Sequence, residues 1–108
     1  MDSPEGLYDE IAAQLAKQPG VVRTKMFGMP SVKVNGNAFM GFESGAMVFK
    51  LTGDSHKQAL AVPGAKLFDP SGRGRPMKEW VSVPASASEM WTDLADAALA
   101  YVATLPMK

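Results

Sequence analysis

Two turn signals set close together in a run of alternating apolar residues constrain this chain more than any other feature. Asn35-Gly36-Asn37 and Ser44-Gly45 supply residue types that tolerate positive φ in hairpin connections, and the segments around them alternate apolar with polar. The pattern predicts three antiparallel strands, over residues 30–34, 38–43 and 46–51. If Ser44-Gly45 is a two-residue turn, Phe42 opposes Met47 and Met40 opposes Phe49, and opposed residues point the same way. Ala38, Met40, Phe42, Met47, Phe49 and Leu51 then share one face. A three-residue loop at Asn35-Gly36-Asn37 adds Val32 and Val34 to it. The other face is left with Lys33, Phe39, Gly41, Val48 and Lys50.

Helices flank this sheet. Ser3 can cap a helix that opens on Pro4, and Leu7, Tyr8, Ile11, Ala12 and Leu15 recur at helical spacing until Pro19-Gly20 stops it. Residues 21–25 are β-branched and extended. Thr52 or Asp54 can cap a short helix over residues 55–62, halted by Pro63-Gly64. Short strands are expected at residues 66–68 and 77–83, separated by a Gly/Pro-rich loop over residues 69–76. Ser86-Ala87-Ser88-Glu89 fits a capping box for a last helix, whose stripe is Trp91, Leu94, Ala98, Tyr101 and Leu105. The expected fold is α+β: an antiparallel sheet of four to six strands, with the N- and C-terminal helices packed on one face. Its core would hold Ile11, Leu15, Met40, Phe42, Met47, Phe49, Leu51, Val81, Trp91, Leu94, Ala98 and Tyr101.

With 108 residues, 46% of them hydrophobic, the chain suits one domain, residues 1–108, that can bury a core without staples. It has no cysteine, which excludes a disulfide framework, a thiolate zinc site and a cysteine nucleophile. The acidic N-terminus lacks the apolar stretch of a signal peptide, and no segment is long and apolar enough to span a bilayer, so a cytoplasmic protein is expected. Eleven basic side chains balance eleven acidic ones, an argument against nucleic-acid binding as the main role.

The order of the pieces resembles the N-terminal domain of the TfoX (Sxy) competence-regulator family. The matching segments are Lys25-Met26-Phe27-Gly28-Met29, Gly36-Asn37-Ala38-Phe39-Met40-Gly41, Val48-Phe49-Lys50-Leu51, Gly64-Ala65-Lys66-Leu67-Phe68 and Met77-Lys78-Glu79-Trp80-Val81-Ser82-Val83-Pro84. The resemblance implies an α+β domain of bacterial type without known enzymatic activity, in a family whose full-length members are transcriptional coactivators with an added helical C-terminal domain. A chain ending at Lys108 is expected to lack that second domain.

Few residues invite chemistry. His56 is the lone histidine, at the expected start of a helix, where a solvated helix-end role outweighs a catalytic one. Glu89, Asp93 and Asp96 can line one helix face, but their spacing fits no calcium loop, so no metal and no cofactor is expected. Gly72-Arg73-Gly74-Arg75-Pro76, with Lys78 beyond it, is the sharpest short motif. It reads as a plain loop, as an anion or partner contact through Arg73, Arg75 and Lys78, or as a minor-groove DNA contact. Met26 to Pro30 reads as packing.

The second sheet face carries the remaining expectation. Phe39, Val48 and Trp80 stand there amid Lys33, Lys50 and Lys78, an arrangement that fits an interface with a protein partner or a second copy of the chain. The competing reading is that residues 26–30 or 69–76 fold over them. The function expected is a non-enzymatic regulatory or interaction module, the alternative being an anion-binding domain that uses residues 72–78.

Overall fold

Six strands form one open sheet in the order β1-β2-β3-β4-β6-β5, antiparallel at every pairing. The computed structural model describes residues 3–26, 28–69, 74 and 77–106. The strands are β1 (Val21–Met26), β2 (Met29–Val34), β3 (Asn37–Glu43), β4 (Ala46–Lys50), β5 (Lys66–Phe68) and β6 (Met77–Pro84). Helix α1 (Pro4–Leu15) precedes them, α2 (Gly53–Leu60) bridges β4 to β5, and α3 (Trp91–Val102) closes the chain. Residues of α1 and α3 share one core with the sheet, so both lie on the same face, as expected for an α+β domain.

Local chemistry explains most element ends. The Ser3 hydroxyl accepts the Gly6 amide at 3.0 Å, and Pro4 fills the first turn where no amide proton is needed. Thr52 occupies the N-cap of α2 without a side-chain bond, and this helix starts and stops earlier than residues 55–62. The expected capping box is corrected: Ala85–Met90 forms a 3-10 turn with a kink at Ala87, and α3 begins only at Trp91, without a side-chain cap. Trp91 explains the late start. Its ring is fully buried and donates Nε1–H to the Val83 carbonyl at 3.2 Å, tying the first turn of α3 to the end of β6.

The hairpins decide the sheet's faces. Asn35 and Gly36 have φ of 52 and 85, and Ser44 and Gly45 have φ of 52 and 80, so both turns are two-residue connections of the kind that matches strand twist. Ser44-Gly45 sets Phe42 against Met47 and Met40 against Phe49 as expected. The other turn differs from expectation: Asn37 already pairs with Val34, so the loop has two residues, not three. A β-bulge then restores the register. Lys33 pairs with Ala38 but Val32 with Met40, leaving Phe39 as the extra residue.

That bulge corrects two expectations at once. Phe39 joins the helix-side core, fully buried together with Met40, Met47 and Phe49. Ala38 moves to the opposite face and packs against a second, smaller cluster of Met29, Val48, Phe68 and Trp80. Phe42 and Tyr101 of the expected core are only partly buried against it, and the other expected core residues are buried. Tyr8 on α1 packs its ring 5.6 Å from that of Phe42. Its hydroxyl is buried without a partner among the described residues.

Two predictions follow from this packing. Phe39→Ala, which an exposed interface residue would tolerate, is expected to cost about 3–5 kcal/mol in urea denaturation, a large share of a small domain's stability. Burial, opposed by Arg23 and reinforced by Asp9, pushes the Tyr8 phenol up to about 12 from 10.0. The folded state therefore holds the neutral phenol more tightly than the unfolded one. Its stabilising contribution is complete below pH 10.0 and is lost as pH rises through about 12. Melting temperatures taken across that window should fall less steeply in Tyr8→Phe than in the parent.

Candidate functional site

The structure separates the residues that the sequence grouped. Val48 and Trp80 do lie on the helix-free face, but both are buried. Their cover comes from the same chain: Met26 and Met29 of the β1–β2 hairpin, and Phe68 and Met77, which flank the loop between β5 and β6. Gly41 makes this close packing workable. A Cβ there would stand 2.9 Å from Met29 Cε and 3.0 Å from the Pro30 carbonyl oxygen, so any other residue would push the end of Met29 aside and crowd the β2 backbone. An interface built on Phe39, Val48 and Trp80 as exposed anchors is thereby corrected: Phe39 is on the wrong face, and the other two are already covered.

The remaining candidates sit apart from one another. Arg73 and Arg75 lie outside the described residues. Of their loop, Gly74 donates its amide to the Asp69 carboxylate at 2.9 Å. Lys78 is exposed near the start of β6, and its carbonyl accepts Nε2–H of His56 at 2.8 Å, so His56 ties α2 to β6. Glu89 falls in the 3-10 turn while Asp93 and Asp96 ride on α3, which breaks the single helix face on which the three were placed.

What the helix-free face does present is a row across the strands. Val22 on β1 is 61% exposed and pairs with Lys33 on β2, which pairs with Ala38 on β3. Beyond Ala38, Lys50 on β4 pairs with Trp80 on β6. The small side chain between two long ones leaves a hollow of ≈ 300 Å³, edged by Lys25, Lys33, Lys50, Asn37 and Trp80. Lys33 and Lys50 are half-buried, and both line the hollow. Among the described residues no carboxylate pairs with Lys33 or Lys25. Lys50 has only Glu79, at 3.9 Å, the outer limit of an ion pair.

Glu79 is itself engaged. Tyr101 of α3 donates its hydroxyl to Glu79 Oε2 at 2.5 Å. Asn37 donates its side-chain amide to the Pro106 carbonyl at 2.9 Å, so the segment after α3 is pinned to the start of β3. Formal neutrality conceals a segregation of charge. Glu5, Asp9, Glu10, Glu89, Asp93 and Asp96 all belong to the helix layer, where Arg23 of β1 pairs with Asp9 at 2.7 Å. Lys33, Lys50 and Lys66 stand on the strands. No sequence argument singled out this hollow, because it depends on Ala38 facing away from the helices.

The family model described as the TfoX N-terminal domain matches residues 13–102, which span the chain from the last turn of α1 to the last residue of α3. No curated protein and no solved structure gives a significant match.

The Glu79 contact makes a prediction about Tyr101. Donating that hydrogen bond to the carboxylate raises the Tyr101 phenol's pKa, with a lesser contribution from burial. In Glu79→Gln the Tyr101 titration, followed through its ring carbon resonance, should move down toward 10.0, while that of Tyr8 stays at about 12. An unchanged Tyr101 titration would contradict the contact.

Proposed function

Because the chain belongs to the TfoX N-terminal domain family, we propose that it is a non-catalytic regulatory module that binds a protein partner through the helix-free face of its sheet. The observation that carries this reading is the positive charge of Lys33, which has no ion pair among the described residues, and of Lys50, held only by Glu79 at 3.9 Å, near an exposed apolar residue, Val22. Two lysines lining one hollow present donors that an external anion can accept from. An apolar residue next to them suits the mixed polar and apolar character of protein contacts better than it suits bare solvent.

The same geometry speaks for binding rather than catalysis. The lone histidine is occupied with a backbone carbonyl, and Glu79, the carboxylate that approaches Lys50, is occupied with Tyr101. A cytoplasmic setting belongs to this reading, and the cysteine-free sequence, which suits a reducing compartment, supports it. Among the described residues no helix is long and apolar enough to cross a membrane.

A photo-crosslinking side chain installed in living cells tests the reading. Placed at Val22 it should give adducts with a protein partner, and placed at Gln14, on the helix layer, it should not. Adducts from Gln14 with none from Val22 would move the contact to the helices and overturn the proposal.

A further inference from the structure

We propose that the hollow between Lys33 and Lys50 is a carboxylate site, which takes an acidic side chain from an extended segment of the partner. This rests on the reading just given and adds the chemistry of what is held. The two lysines stand on β2 and β4, with β3 between them, so their backbones are roughly 10 Å apart, two strand spacings. At the intervening position β3 offers only the methyl of Ala38, and Trp80 walls the side toward β6. Two flexible ammonium groups can therefore close on one anion from opposite sides, above a floor too low to obstruct it.

Several features favour a carboxylate. Its two oxygens match two flanking ammonium groups, whereas a phosphate brings three strong acceptors and calls for further donors. Asn37, which also edges the hollow, already gives one amide N–H to the Pro106 carbonyl. The chain also shows how a carboxylate approaches this charge. Glu79 stands 3.9 Å from Lys50 Nζ, and it is held back by the Tyr101 hydroxyl at 2.5 Å. Glu79 thus competes weakly for Lys50 and leaves Lys33 unmatched. An extended segment laid along the row would carry an apolar residue over Val22 and its acid over Ala38.

A fluorescein-labelled hexaglutamate peptide, titrated at fixed low ionic strength and followed by anisotropy, tests the site. Saturable binding is expected, weakened about tenfold or more by Lys33→Gln and by Lys50→Gln, the scale of one lost charge-assisted hydrogen bond. Lys17→Gln, the same charge change near the far end of α1, should bind as the parent does. Glu79→Gln should bind more tightly, because it removes the internal competitor. Ala38→Leu should block binding by filling the floor, with folding verified by circular dichroism. Equal binding by Lys33→Gln, Lys50→Gln and Lys17→Gln would show general charge attraction and overturn the site. Inorganic phosphate or a DNA duplex displacing the peptide at lower anion concentration would overturn the carboxylate assignment. Crosslinks at Val22 together with lysine-insensitive peptide binding would end this proposal alone, while crosslinks at Gln14 would end the reading beneath it.

Discussion

One inserted residue on β3 reconciles two demands that a regular ladder cannot meet together. The Asn35-Gly36 turn sets Asn37 against Val34, and strict alternation from there would place Phe39 with Val32 while turning Met40 and Phe42 outward. The Ser44-Gly45 turn would carry Met47 and Phe49 outward with them. The β3–β4 hairpin would then bury its apolar set on one side of the sheet while β2 buried Val32 and Val34 on the other. The bulge at Phe39 slides the register by one residue, at the cost of a disrupted stretch of ladder. Phe39, Met40, Val32, Val34, Met47 and Phe49 all reach the core beneath α1 and α3.

The same bulge shapes the opposite face. Because two successive large residues of β3 point toward the helices, the neighbouring outward position is held by Ala38 alone. Lys33 and Lys50 thus border a depression instead of a bulky neighbour. The hollow is a by-product of core packing. Its charge follows from the layer order: acids collect on the helices, lysines on the strands, and the chain as a whole sums to zero. A neutral protein of this kind can carry a local field strong enough to orient a partner.

Strand positions, the pairing of β2, β3 and β4, the helices and most of the core were legible in the sequence because period-two and period-3.6 patterns survive without knowledge of tertiary contacts. The face assignments of Ala38 and Phe39 were not. A three-residue loop and a two-residue loop followed by a bulge place Met40 identically, and differ only in what lies between the turn and that residue. Trp80 was placed on the correct face but left without its cover, since Met26, Met29, Phe68 and Met77 meet it from distant parts of the chain. The capping-box motif at Ser86 to Glu89 was overridden by the anchoring of Trp91 to Val83, a tertiary contact that local chemistry cannot show. The hollow was illegible for the same reason as Ala38.

Through-space proton contacts in solution test the bulge, and with it both faces, most directly. The Ala38 methyl should show cross-peaks to the Trp80 indole and the Lys50 side chain, while the Phe39 ring shows cross-peaks to side chains of the helix-side core. Cross-peaks from Ala38 to Val34 and Met47, with Phe39 contacting Trp80, would establish a three-residue turn and an unbroken β3. That result would contradict the account of both the core and the hollow.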